Sequence, residues 1–153
     1  MSHPDYPDWQ RCLAEPGEEP VFTFIRKGYV DKIKRYLEEG GDVNVKTPTG
    51  KSALTVAVQT RNSEIVRLLL SRGADLNDPE ALFGLTPLMF AAICGFKELV
   101  ALLLEYHAGT HYQAHDKGQG VIDGWRAIDF AFAEGHSEIV VLLRSHKPES
   151  TPT

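Results

Sequence analysis

Apolar residues in this chain come in short bursts spaced three and four residues apart, and the bursts are separated by runs rich in Gly, Asp and Asn. In Glu64-Ile65-Val66-Arg67-Leu68-Leu69-Leu70 the spacing lines one face of a helix. The burst returns as Glu98-Leu99-Val100 with Leu102-Leu103-Leu104, and again as Glu138-Ile139-Val140 with Leu142-Leu143. A second, shorter burst precedes each: Ser52-Ala53-Leu54-Thr55-Val56-Ala57, Thr86-Pro87-Leu88-Met89-Phe90-Ala91 and Arg126-Ala127-Ile128-Asp129-Phe130-Ala131. A fainter copy runs from Pro20-Val21 through Gly28 to Tyr36-Leu37. With Phe24, Ala57, Ala91 and Ala131 as equivalents, the intervals are 33, 34 and 40 residues. Each copy predicts two helices. One pair cannot cover its own apolar stripe, whereas a stack of pairs buries the stripes continuously.

The punctuation between bursts agrees with this. Gly40 and Gly73 follow the long bursts, where a helix end favours a left-handed residue. Pro87 suits the first turn of a helix, because its missing N–H has no partner there in any case. His107 takes the place of Gly40 and Gly73 in the third copy, with Gly109 the next glycine. Non-glycine residues resist positive φ, so the preceding helix is expected to run on about two residues. About seven extra residues then enlarge the hairpin within 109–124.

With Thr86-Pro87-Leu88 opening one element and Gly40-Gly41-Asp42-Val43-Asn44 and Gly73-Ala74-Asp75-Leu76-Asn77 closing others, the chain resembles the ankyrin repeat family over residues 19–146. The resemblance implies an all-α ankyrin-repeat solenoid of helix-turn-helix units joined by hairpin loops. Four repeats are expected at 19–50, 51–84, 85–124 and 125–146, the first degenerate. Residues 1–18, with Trp9 and Leu13, are expected to cap the stack, and 147–153 to form a disordered tail. The family's histidine after the conserved-pattern leucine is replaced by Phe22, Thr55, Met89 and Asp129, so the turns must be tied together in another way. The implied function is non-catalytic protein–protein interaction through the concave surface and the hairpin tips. Inhibitor, immunity-type and adaptor roles all fit, and no cofactor is implied.

Charge and composition narrow the partners. The formal net charge is −5 and the basic residues are scattered, which disfavours nucleic acid. The most apolar stretch, 85–96, is short for a membrane span and reads as a buried inner helix. With only Cys12 and Cys94, far apart, the chain is not a disulfide scaffold, and a cytoplasmic protein, monomeric when free, is expected.

Two sets of residues carry candidate chemistry. The hairpin tip of the second copy, Thr47-Pro48-Thr49-Gly50-Lys51, is polar, but the next two carry Leu82, Phe83 and Leu85, then Val121, Ile122 and Trp125. With Phe90, Ile93 and Phe130 on the inner helices, these nine are expected to form an exposed apolar row for a partner protein. In the opposing reading the enlarged hairpin folds back and buries them against one another. The second set is His107, His111 and His115, which on a helix would share one face at metal-ligand spacing. That set supports an alternative function as a metal- or small-ligand-binding protein. Asp116-Lys117-Gly118-Gln119-Gly120 lacks the alternating acidic residues of a calcium loop.

Overall fold

The structure is a computed structural model that describes residues 16–115, 120 and 122–146. Its described residues form eight helices in four antiparallel pairs: α1 (Pro20–Lys27) with α2 (Val30–Glu38), α3 (Ala53–Gln59) with α4 (Ser63–Ser71), α5 (Pro87–Cys94) with α6 (Lys97–Glu105), and α7 (Ala127–Ala133) with α8 (Ser137–Ser145). Expected elements at 1–15 and 147–153 lie outside the described residues, as do Val121 and 116–119.

Half of the helices start where a side chain meets an orphan backbone N–H. Ser52, Asn62 and Thr86 accept from the N–H groups of Thr55, Ile65 and Met89. In α7 the N-cap position holds Arg126, which cannot accept. There Asp129 reaches back instead, and its carboxylate accepts from the Arg126 N–H at 2.8 Å. Pro20 and Pro87 occupy the first turns of α1 and α5.

The inner helices α1, α3, α5 and α7 stack side by side, and α2, α4, α6 and α8 form a second layer behind them. Phe22, Ile25, Leu54, Ile65, Leu69, Leu88, Phe90, Leu99, Leu103 and Phe130 join the one continuous core between the layers. Burial is greatest in the middle: every residue from Leu85 to Ile93 is buried. Such a run cannot form a helix with one wet face, and it is sandwiched between neighbouring pairs.

Side chains also tie the turns in register. Asp42 and Asp75 each accept from the N–H two residues on, of Asn44 and Asn77, at 2.9 Å. Asn44 Oδ1 then accepts from the Asp75 N–H, and Asn77 Oδ1 from the Gly109 N–H, both at 2.8 Å. Every rung thus joins one pair to the next. Between the third and fourth pairs His136 takes over, its Nε2–H donating to the Ile93 carbonyl at 3.1 Å.

The helix before His107 does not run on. α6 stops at Glu105, and His107 itself adopts the left-handed conformation, φ 65°. The His107 and Ala108 N–H groups bond to the Leu104 and Leu103 carbonyls, and Ala108 is buried. That packing outweighs a local cost of about 1 kcal/mol. Arg61 does the same at φ 57°, where the other pairs have Gly28, Gly95 and Gly135. Its guanidinium lies 5.2 Å from the Phe96 ring centroid.

Candidate partner-binding site

The hairpin tips differ in how they are held. In the loop before α5, Glu80 is buried and its carboxylate accepts from the N–H groups of Leu82, Phe83 and Leu85. Three charge-assisted bonds to one carboxylate fix a five-residue tip. The tip therefore cannot choose which side chains it shows: Leu85 is turned fully inward and Leu82 outward, 55% exposed. Phe83 lies between, half-buried against the core.

The enlarged loop before α7 folds back. The Ala114 N–H donates to the Trp125 carbonyl, the Gly124 N–H to Ala114, and the Trp125 N–H to Ile122. Ala114 and Ile122 are buried by this closure, and the half-buried Trp125 ring meets Phe130 edge-on at 5.2 Å. The His115 N–H donates to the Phe83 carbonyl at 2.7 Å and draws the two tips together.

The expected apolar row is accordingly corrected. Leu85, Phe90, Ile93, Ile122 and Phe130 are buried in the core and offer no surface as they stand. Phe90 is covered because the inner helices α3 and α7 flank α5, Phe130 because α5, α8 and the Trp125 ring pack against α7, and Ile122 because its loop closes. Val121 lies outside the described residues. Of the nine, Leu82 is exposed, and Phe83 and Trp125 are partly so.

Sequence reasoning missed Tyr112, which stands exposed on the neighbouring tip and stacks on His111 at 4.4 Å between ring centroids. Leu82 and Tyr112 flank a groove of about 260 Å³ lined also by Pro79, Glu80, Ala81 and His115. Beside it, His115 Nδ1 lies 3.9 Å from Asp123 Oδ1. The groove's lining sets the apolar Pro79, Ala81, Leu82 and Tyr112 beside the polar Glu80, Gln113 and His115. The tyrosine had a signal in the sequence: an aromatic inside an enlarged loop, next to a residue type that stacks.

The three-histidine reading loses its geometry. His107 ends a helix in a left-handed turn and 111–115 is not helical, so the four-residue spacing places no common face. Among the described residues no group of three or more His, Cys, Asp or Glu could hold a metal ion. Nor is any helix among them long and apolar enough to cross a membrane.

A family model of ankyrin repeats, in three copies, matches residues 6–80 and 76–152. The chain belongs to the ankyrin repeat family. Human ankyrin repeat domain-containing protein 63 is 28% identical over 140 residues, covering 86% of this chain and 35% of its own length. Rat ankyrin repeat and SAM domain-containing protein 6 is 35% identical over 134 residues, 86% of this chain and 14% of its own. A probable E3 ubiquitin-protein ligase of rice, XBOS33, is 36% identical over 85 residues, 56% of this chain and 16% of its own. The chain thus spans a minor part of each relative, and the ligase's name describes a protein about six times longer than the matched stretch. Ankyrin repeats generally mediate protein–protein interaction, and the likeness here is to the repeat.

Proposed function

We propose that this ankyrin stack is a non-catalytic module that binds a partner protein at its hairpin tips, with the groove between Leu82 and Tyr112 as its anchor point. The observation that carries the reading is this pair of exposed apolar side chains on two adjacent tips: the Leu82 N–H is bonded to the Glu80 carboxylate, and Tyr112 stacks on His111 two residues before Ala114, whose N–H is bonded to the Trp125 carbonyl. A surface already rigid loses little ordering entropy on binding. Phe83 and Trp125 extend the anchor where they are partly exposed. The net charge of −5 steers basic partners toward the stack and repels acidic ones. Cytoplasmic residence, and an inhibitory role that covers the partner's working surface, belong to the same proposal.

Photo-crosslinking residues placed at positions 82 and 112 test it. They are expected to capture the same protein, whereas one at the exposed outer-helix position of Arg67 captures none. Capture at 67 but at neither tip position places the partner on the opposite face and refutes the site.

A further inference from the structure

Among the described residues, Glu80 is the one charged residue that is buried as a whole, 4% exposed. The other well-covered acid, Glu18, meets the Arg26 guanidinium. Glu80 has no such partner, and none of the ion pairs among the described residues includes it. Its charge is met by three backbone N–H groups instead, those of Phe83 and Leu85 on Oε1 and that of Leu82 on Oε2. These dipoles offset part of the cost of burial but bring no net positive charge. A carboxylate oxygen offers two acceptor positions, so Oε2 keeps one for a further donor. Glu80 also lines the groove between Leu82 and Tyr112, where no lysine or arginine is found. A negative charge beside apolar walls is screened less than one in open water, and it draws a cation more strongly. Asp123, 3.9 Å from His115, is the other acid close by, but its side chain is 63% exposed and solvent screens it.

We propose that the partner side chain entering this groove is basic, an arginine or a lysine, with its charged head donating to Glu80 and its stem lying along Leu82 and Tyr112. The inference rests on the groove being the binding site proposed above, and it adds the chemistry of the occupant. Arginine and lysine alone combine a long apolar stem with a permanent positive head, and the lining offers a counterpart to each part: Pro79, Ala81, Leu82 and Tyr112 for the stem, Glu80 for the head. A charge-assisted bond to a carboxylate is about twice as strong as one between neutral groups. An apolar side chain fits the walls and leaves the Glu80 charge without a cation. An acidic one is repelled. The net charge of −5 acts in the same direction at longer range.

A displayed library of random peptides tests the proposal, panned on the wild type and counter-selected on a Leu82→Ser/Tyr112→Ser double variant, whose changes fall on exposed side chains. The sequences kept are expected to share an arginine or lysine beside apolar residues. In a synthetic peptide of such a sequence, citrulline in place of arginine, or norleucine in place of lysine, removes the charge and keeps the stem. Binding is expected to weaken at least about tenfold, and added salt to weaken the charged peptide more than the uncharged one. Asp123→Asn, a change on an exposed side chain, is expected to keep the preference for the charged peptide. Loss of the preference in that variant assigns the recognition to Asp123 and overturns the role of Glu80. Tip-dependent sequences without a basic residue, or an uncharged peptide that binds as tightly as its parent, overturn the basic occupant and leave the groove as the site. A library that yields no sequence dependent on Leu82 and Tyr112 overturns the groove itself, and this inference with it.

Discussion

At the scale of single residues, left-handed positions carry the clearest tests. Gly95 has φ 73°, and a methyl there falls 2.6 Å from the His136 ring that bonds to Ile93. Gly135 has φ 75° and open space around it. Both Gly→Ala changes incur the backbone cost of about 1 kcal/mol, and only Gly95→Ala also displaces a ring, so it is expected to cost about 1–3 kcal/mol more in urea unfolding. His107→Gly runs the other way. It relieves positive φ and is expected to stabilise by up to about 1 kcal/mol; a loss of stability would mean that the imidazole itself holds the turn. Trp125 is a packing residue as well as a partly exposed one. Its ring rests on the buried Phe130, so Trp125→Ala is expected to cost about 2–3 kcal/mol of stability, measured by the denaturation midpoint. Tyr36 gives a pH signature. Burial raises its phenol above the usual value, helped by the carboxylate of Glu19, with which its hydroxyl shares a 3.4 Å contact. The phenol then holds its proton more tightly folded than unfolded. Its contribution is complete below the unfolded value, near pH 10, and is lost as pH rises through the folded one, a sensitivity that Tyr36→Phe should remove.

At the scale of elements, the stack rests on two devices: helix pairs that bury one another, and loops stapled by side chains. Glu80 is the strongest staple. Glu80→Ala leaves the N–H groups of Leu82, Phe83 and Leu85 without their acceptor, and is expected to cost about 2–3 kcal/mol and to speed amide exchange at 82–85 selectively. Uniform exchange across all loops would instead mean that Glu80 holds no particular tip. The helices themselves were legible in the sequence, because Ile65, Val66, Leu69 and Leu70 repeat at a spacing that leaves one outcome for an uncovered stripe. The orientation of tip residues was not. Leu82 and Leu85 are three residues apart in a loop without period, and which of them turns outward depends on the Glu80 carboxylate, a residue that looks like any surface acid in the sequence. Ile122 was misplaced for a related reason: only the closure of Ala114 on Trp125 decides that the enlarged loop turns inward. The exposure of Phe132, by contrast, was readable. Alignment of the copies sets it against Val58 and Ala92, which shows a large apolar residue at a position with no following pair in the described chain.

At the scale of the whole molecule, four stacked pairs present two kinds of surface among the described residues: tips that show Leu82 and Tyr112, and the last pair, which shows Phe132. The central claim concerns the tips. Once a partner has been captured there, calorimetric titration of that purified protein against the wild type and against Leu82→Asp tests the claim most directly. The account predicts at least about tenfold weaker binding for Leu82→Asp, equivalent to about 1.4 kcal/mol, with the fold and the melting temperature retained because the side chain is exposed. Equal affinity for the two proteins would contradict it.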